Sequence, residues 1–227
     1  MRMALAALVL SAGAVVAPVP GPVPSAGAEP YDCPPACDTI PDSAWIAPQA
    51  VPLAAEYGWP PLAEVARAAT APRFRFEELC ETPPVHLDPR GYAVVERAVV
   101  VEQAAGTGGR WQLQAQVMHW RGETWWAGQR AAEVFDTAVA ALLACQRTNP
   151  GASPSLTAEE PGRIAAVVAG PVVLHQYLVV NPANSTISEL ALWSTAPPST
   201  PWPPVADEAV LDALDAPLCV AYIGSCR

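Results

Sequence analysis

Few side chains in this sequence could carry chemistry, and they are scattered along the chain. Three histidines occur, His86, His119 and His175, of which the last two lie in strand-like sequence. A histidine within a strand is most often a hydrogen-bonded structural residue, although it can also serve as a general base. A hydrolase that uses His119 or His175 is therefore one interpretation of the sequence, and a protein without a catalytic site is the other.

The familiar catalytic and metal-binding motifs are absent from the sequence. No lysine occurs, so a phosphate-binding loop of the form G-x-x-x-x-G-K-[ST] cannot form. The sequence also lacks a G-x-S-x-G nucleophile elbow, a C-x-x-C redox pair and the clustered ligands of a zinc site. The acidic pairs Glu77–Glu78 and Glu159–Glu160 are adjacent in the chain and give no specific support for paired acid–base catalysis. We therefore predict no catalytic residue, no metal site and no cofactor.

Tryptophan is the most informative residue type in the chain. Of eight tryptophans, Trp111, Trp120, Trp125 and Trp126 lie within one short stretch. Such rings either fill the core of a small domain or form a wall on which a ligand stacks. Core packing does not explain the tryptophan and arginine side chains in the connection from 121 to 130, and these side chains predict a binding surface. The predicted ligand-binding residues are Trp120, Arg121, Trp125, Trp126 and Arg130.

A strand and a helix must position this connection. Residues from Trp111 to Trp120 alternate in polarity, which predicts a strand with one buried face and one mostly wet face that carries Gln112, Gln114 and Gln116. The apolar stripe from about Ala127 to 146 predicts a helix.

The other segments predict an α+β fold with a mainly antiparallel sheet of about five strands and helices on one side. Short connections between three late apolar runs favour antiparallel neighbours. The region 148–162 is predicted to be a polar loop, and a last helix is predicted to begin at Asp207 as N-cap and to end at Pro217. The predicted strands are 92–102, 111–120, 164–169, 172–180 and 186–193.

The N-terminal region predicts export. Residues 1–28 have a basic start, a mostly apolar run and a small-x-small cleavage site, which is the pattern of a signal peptide, although a retained anchor is an alternative. Residues 29–61 are predicted to form a proline-rich arm packed on a single domain of residues 62–227. All six cysteines follow residue 28, and we predict structural disulfides with open connectivity among Cys33, Cys37, Cys80, Cys145, Cys219 and Cys226.

The formal net charge of −10 restricts the partners of the chain. An acidic protein is repelled by nucleic-acid backbones and by anionic lipid surfaces, so we expect no nucleic-acid partner. Every apolar run after residue 28 is interrupted by arginine, glutamate, glutamine, histidine or proline, so we also expect no stable membrane insertion after cleavage.

Three segments carry a resemblance to a known family: DCPPACDTIPDSAWI at 32–46, HWRGETW at 119–125 and LCVAYIGSC at 218–226. With the signal peptide, they resemble an exported six-cysteine protein family of mycobacteria and related actinobacteria. The strand followed by a helix that ends in cysteine is also similar to the extracellular sensor domain of the mycobacterial H-type serine/threonine kinase. That resemblance implies an antiparallel sheet flanked by helices, with disulfides and a cleft.

The function predicted from the sequence is a secreted cell-envelope binding or sensor-like module for an envelope ligand or protein. The alternatives are a secreted hydrolase that uses a histidine and a purely structural envelope protein.

Overall fold

The alternating and β-branched runs of the sequence form one antiparallel sheet. The computed structural model describes residues 39–101 and 108–222. The predicted α+β class is confirmed, but the predicted strand number is wrong, because the sheet has seven strands in the order β1-β2-β3-β7-β6-β5-β4. The strands are β1 (Arg67–Ala68), β2 (Ala93–Val100), β3 (Gln112–Trp120), β4 (Ser153–Glu160), β5 (Arg163–Ala169), β6 (Val172–Asn181) and β7 (Thr186–Thr195).

Helices cover both faces of the sheet, so the prediction of helices on one side is wrong. In β6, Leu174 and Leu178 pack in the cluster that contains helix α4, whereas Tyr177 and Val179 pack in the cluster that contains helix α6. Successive side chains of a strand point to opposite faces, so α4 and α6 lie on opposite sides. The helices are α1 (Ala54–Tyr57), α2 (Leu62–Val65), α3 (Arg75–Leu79), α4 (Thr124–Leu143), α5 (Cys145–Thr148) and α6 (Asp207–Ala221), with short 3-10 segments at Asp42–Ala44, Pro48–Ala50 and Pro89–Tyr92.

The polar face of β3 is not wet. Gln114 and Gln116 are 3 % and 0 % exposed, because the segment that leads into α3 lies over this face and receives their hydrogen bonds. The alternation of polarity therefore predicts the strand correctly, but the prediction that Gln114 and Gln116 face solvent is wrong.

Strand β4 forms where a polar loop was predicted. Among the described strands it lies at the edge of the sheet and pairs with β5, and its outward residues are polar because they face solvent. It also contains Pro154, a register shift between Leu156 and Ala158, and two terminal acidic residues, Glu159 and Glu160. A strand with one solvated face and one open edge has too little apolar alternation to be recognised from its sequence.

Helix α6 corrects the predicted bounds of the last helix. Ala206 is the N-cap, and the helix continues through Pro217 to Ala221. The carboxylate of Asp207 is engaged elsewhere, since it accepts a hydrogen bond of 2.7 Å from the Tyr177 hydroxyl. Continuing past the proline keeps Leu218, which is fully buried, against the sheet.

Residues 39–61 pack on the α6 face, where Ile40, Trp45, Leu53 and Trp59 are buried. The Trp59 indole donates to the Pro52 carbonyl at 2.8 Å. Large rings thus compensate for the few backbone hydrogen bonds that a proline-rich segment can make.

A disulfide joins Cys80 to Cys145 and fixes the end of α3 to the start of α5, directly after α4. Cys219 is disulfide-bonded too, while Cys33, Cys37 and Cys226 lie outside the described residues. Within 39–101 and 108–222, no helix has the length and apolar character needed to cross a membrane.

Candidate functional site

Four of the five predicted ligand-binding residues line one cleft. Trp120, Arg121, Trp126 and Arg130 surround a space of about 530 Å³ at the end of β3 and the start of α4. Trp125 lies beside it, with its ring edge-on to Trp126 at a centroid distance of 4.4 Å. The eight lining residues, called the aromatic cleft below, are Leu87, Pro89, Tyr92, Trp120, Arg121, Trp126, Ala127 and Arg130.

The floor of the aromatic cleft is fixed by Trp120, the last residue of β3. This residue is 3 % exposed, and its indole N–H donates to the Pro89 carbonyl at 3.0 Å. Its backbone N–H donates to the Ser185 carbonyl at 2.9 Å. The ring therefore joins the sheet to the loop on the other side of the cleft.

The first turns of α4 form one wall. Trp125 and Trp126 are exposed there, while Gly128 faces the turn between β6 and β7. A Cβ atom at Gly128 would lie 2.2 Å from the Pro182 carbonyl oxygen. Only glycine allows this close approach, and it brings the tryptophan-bearing turn down against the sheet.

The segment from Leu87 to Tyr92 forms the opposite wall, which the sequence did not predict. Leu87, which has a positive φ of 56°, and Tyr92, the last residue of the short 3-10 segment, both expose their side chains to solvent. Asp88 caps this segment by accepting the backbone N–H of Arg90 at 2.9 Å.

A buried ion cluster holds this wall in place. The guanidinium of Arg90, a residue 5 % exposed, donates to Glu77 at 2.6 and 3.1 Å and to Asp88 at 2.6 and 2.8 Å. Burial lowers the pKa of Arg90, but hydrogen bonds to the two carboxylates outweigh it and hold the pKa above its ordinary value. The Glu77 carboxylate also accepts the Phe74 backbone N–H at 2.7 Å. The wall of the cleft is thereby attached to α3 through paired and hydrogen-bonded charges.

The polar groups that line the aromatic cleft are mainly donors. Guanidinium and indole groups only donate hydrogen bonds, and the Tyr92 hydroxyl can donate or accept. No carboxylate or amide side chain is among the eight lining residues. Arg130 forms an exposed ion pair with Glu133 at 2.8 Å. The cleft is thus suited to a ligand that presents acceptors or negative charge.

A second polar group, the Glu189 network, lies buried under α3 and was also missed. It consists of Glu189 on β7, Gln114 and Gln116 on β3, and Gln176 on β6, all 3 % exposed or less. The Glu189 carboxylate accepts amide N–H groups at 3.1, 2.6 and 3.0 Å from the three glutamines, in that order.

The Glu189 network attaches the segment before α3 to the sheet. Glu189 accepts the Arg75 backbone N–H at 2.7 Å, and the Arg73 carbonyl accepts from Arg97 at 2.9 Å and from Gln116 at 3.0 Å. Burial raises the pKa of Glu189 to about 7. Hydrogen bonds from the Arg75 backbone and from the Gln114 and Gln176 amides, together with the charge of Arg97, lower this pKa and offset only part of the lost solvation. The spaced glutamines of β3 are the available sequence signal, but their alternation with apolar residues predicts a solvated face.

His119 and His175 lie on the face of the sheet opposite the aromatic cleft. His119 and His175 share the strand parity of the α6 face, opposite the face of Trp120. The pairing of β3, β7 and β6 places His175 level with Leu113, so the two histidines are about 20 Å apart along the sheet. They cannot act as a pair.

Each of these histidines packs against an aromatic ring. His175 stacks on Trp202 with ring centroids 3.5 Å apart and an interplanar angle of 6°, and burial lowers its pKa to about 4 although Asp207 opposes the shift. His119 stacks on Tyr222 at 4.7 Å, and burial lowers its pKa as well. Both are packing residues in this arrangement, and the hydrolase interpretation gains no support from them. His86 lies in an exposed loop.

A metal site is not suggested by the described part of the chain, where no group of three or more histidine, cysteine, aspartate or glutamate side chains could hold an ion.

Comparison of the chain with protein-family models, with curated proteins and with solved structures gave no match.

Proposed function

We propose that this protein is an exported binding module of the cell envelope, sensor-like in kind, and that its ligand occupies the aromatic cleft. The observation that carries the proposal is the exposed apolar surface around this one concave site. Leu87, Tyr92, Trp125 and Trp126 are 75, 78, 59 and 59 % exposed. Soluble proteins seldom leave such a group of large side chains in solvent unless it contacts a partner or ligand.

The dimensions and rigidity of the aromatic cleft support the same proposal. Its volume of about 530 Å³ falls in the range of small-molecule sites. Its two walls are held by the Arg90 ion cluster and by the close approach at Gly128, so little ordering is needed when a ligand binds. Preorganisation of this kind favours a dedicated site over an incidental depression.

Export is the second part of the proposal and is supported by the sequence. The signal-peptide pattern of residues 1–28 and the disulfide between Cys80 and Cys145 are typical of proteins that act outside the cytosol. The resemblance to exported six-cysteine proteins of actinobacteria agrees with this location and identifies no activity.

Binding of envelope fractions tests the proposal. The oxidised protein would be incubated separately with glycan, lipid and peptide fractions of an actinobacterial envelope, and the retained molecules identified by mass spectrometry after gel filtration. The double variant Trp125→Ala/Trp126→Ala should lose at least about tenfold of the retained ligand, since both rings border the cleft.

The matched control is Leu143→Ala. Leu143 is 57 % exposed on the same helix, but it lies about 25 Å from Trp126 along the helix axis. It should retain as much ligand as the wild type. Equal retention by the wild type and the tryptophan double variant in all fractions would refute the aromatic cleft as the site.

A further inference from the structure

We infer that the aromatic cleft takes a monomeric anionic amphiphile. This inference rests on the proposed function and specifies its ligand. The acid group would lie at Arg121 and Arg130, and the apolar part would lie against the exposed side chains of Leu87, Tyr92 and Trp126.

The hydrogen-bonding groups of the lining favour an acidic ligand. A neutral glycan carries hydroxyl groups that both donate and accept, so its sites combine carboxylate or amide acceptors with donors. The aromatic cleft offers two guanidinium groups and no carboxylate or amide among its lining side chains. A carboxylate or phosphate ester matches such a set, because it only accepts and can bond a guanidinium through two oxygens.

The ion pair of Arg130 with Glu133 does not prevent this. The two side chains are 58 and 55 % exposed, and an exposed pair one helical turn apart contributes little stability. A ligand anion can therefore replace Glu133 at the Arg130 guanidinium at small cost, because the exposed Glu133 carboxylate is solvated by water when it is released.

The apolar surface beside the arginines favours a ligand with an apolar part. The lining also contains apolar side chains that a small inorganic anion would leave uncovered, namely Leu87, Pro89, Tyr92, Trp126 and Ala127. A ligand that joins an acid group to an alkyl or aryl part would cover both kinds of surface, which is what the removal of apolar area from water favours.

The charge of the chain indicates whether the amphiphile is dispersed or part of a membrane. The chain carries a net charge of −10, and it contains arginine but no lysine. A negatively charged bilayer would repel such a protein as a whole, whereas a single anionic molecule is small enough to enter the cleft and to accept hydrogen bonds from its guanidinium groups. The occupant is therefore a dispersed molecule and not a membrane surface.

Calorimetric titration with defined probes tests the ligand class. Dodecanoate, dodecyl maltoside and dodecyltrimethylammonium share an alkyl chain and differ in the charge of the head group, and each would be used below its micelle-forming concentration. Dodecanoate should bind at least about tenfold more tightly than the other two. Arg121→Gln/Arg130→Gln should weaken dodecanoate binding by about tenfold, whereas Arg147→Gln, at an exposed arginine of α5, should leave it unchanged.

Equal binding of dodecyl maltoside, or an unchanged affinity in Arg121→Gln/Arg130→Gln, would overturn the ligand class. Binding to phosphatidylglycerol vesicles without binding to monomeric dodecanoate would overturn it in favour of membrane docking. If dodecanoate fails to bind while Trp125→Ala/Trp126→Ala still abolishes retention of an envelope ligand, the ligand class is wrong and the proposed function stands. If the tryptophan double variant alters no binding at all, both fail.

Discussion

Replacing Gly128 by alanine provides a sharp test of how the aromatic cleft is built. At an ordinary exposed position inside a helix, glycine to alanine stabilises a protein by about 1 kcal/mol, because alanine loses less backbone entropy on folding. Gly128 is instead the point at which α4 meets the turn between β6 and β7. We expect Gly128→Ala to destabilise the protein, which is opposite in sign to the helix propensity.

The magnitude follows from the geometry. The new Cβ would lie 2.2 Å from the oxygen, 3.1 Å from the carbonyl carbon and 3.3 Å from the Cα of Pro182. All three atoms belong to the backbone, so no side-chain rotation can relieve the contact, and α4 must move by about 1 Å. Overpacking that shifts backbone costs typically about 1–3 kcal/mol. The contact at Gly128 is severe, so its cost lies at the upper end of this range. Subtracting the gain in helix propensity leaves a net loss of about 2 kcal/mol in the free energy of unfolding.

Chemical denaturation followed by far-UV circular dichroism measures this loss. In thermal denaturation followed by the same signal, the melting temperature should fall by about 4–8 °C for a domain of this size. The matched control is Ala140→Gly, the reverse change at an exposed position of the same helix, which should cost about 1 kcal/mol.

Ligand affinity gives an independent readout, because the displaced turn carries Trp126 and Arg130 to the cleft. Gly128→Ala should therefore weaken ligand binding although residue 128 does not line the cleft. A Gly128→Ala protein that is more stable than the wild type, with unchanged affinity, would show that α4 does not depend on this contact.

Three further changes test other parts of the structure. Arg90→Met leaves the buried Glu77 carboxylate without its cation and should cost about 3–5 kcal/mol in chemical denaturation, and it should also weaken ligand binding because the wall of the cleft is released. Replacing Cys80 and Cys145 together by alanine removes a cross-link over 65 residues and should lower the free energy of unfolding by about 4 kcal/mol. The folded-state pKa of His175, about 4, lies below its ordinary 6.5, so the unfolded chain takes up the proton first. Its contribution to stability is therefore lost as pH falls from 6.5 towards 4, and the stability of His175→Gln should vary less with pH in that window.

For each of these three changes, a specific outcome would contradict the expectation. An Arg90→Met protein with normal stability and affinity would mean that the ion cluster does not support the wall. A double cysteine variant that unfolds at the wild-type denaturant concentration would show that packing alone fixes α3 to α4. Parallel stability curves for wild type and His175→Gln between pH 4 and 7 would show that His175 is protonated equally in both states.

The strands and the long helix could be predicted because their patterns are local. The alternation that ends at Trp120 and the β-branched runs of β5, β6 and β7 place each strand within about two residues, and the apolar stripe of α4 places its helix. The side of the sheet on which a helix packs is a tertiary property, and no periodicity within a single element records it. The edge strand β4 was missed because its solvated side carries serine, threonine and glutamate.

Half of the aromatic cleft could be predicted for the same reason. The residues from Trp120 to Arg130 form one short stretch, and their clustering is visible in the sequence. The wall at Leu87 and Tyr92 depends on Arg90 finding Glu77, 13 residues earlier in the chain, and on a positive φ at Leu87 that a leucine gives no reason to expect. The burial of Gln114 could not be foreseen either, since it depends on which segment covers the strand.

The edge strand β4 has a consequence for the behaviour of the protein at high concentration. An open sheet edge can recruit the edge of another copy and so extend the sheet from molecule to molecule. Here Pro154 removes one backbone donor, the register shift after Leu156 interrupts the regular spacing of the others, and Glu159 and Glu160 place like charges where two copies would meet. Strand-to-strand polymerisation is therefore opposed at this edge, which would suit a protein that folds outside the cytosol.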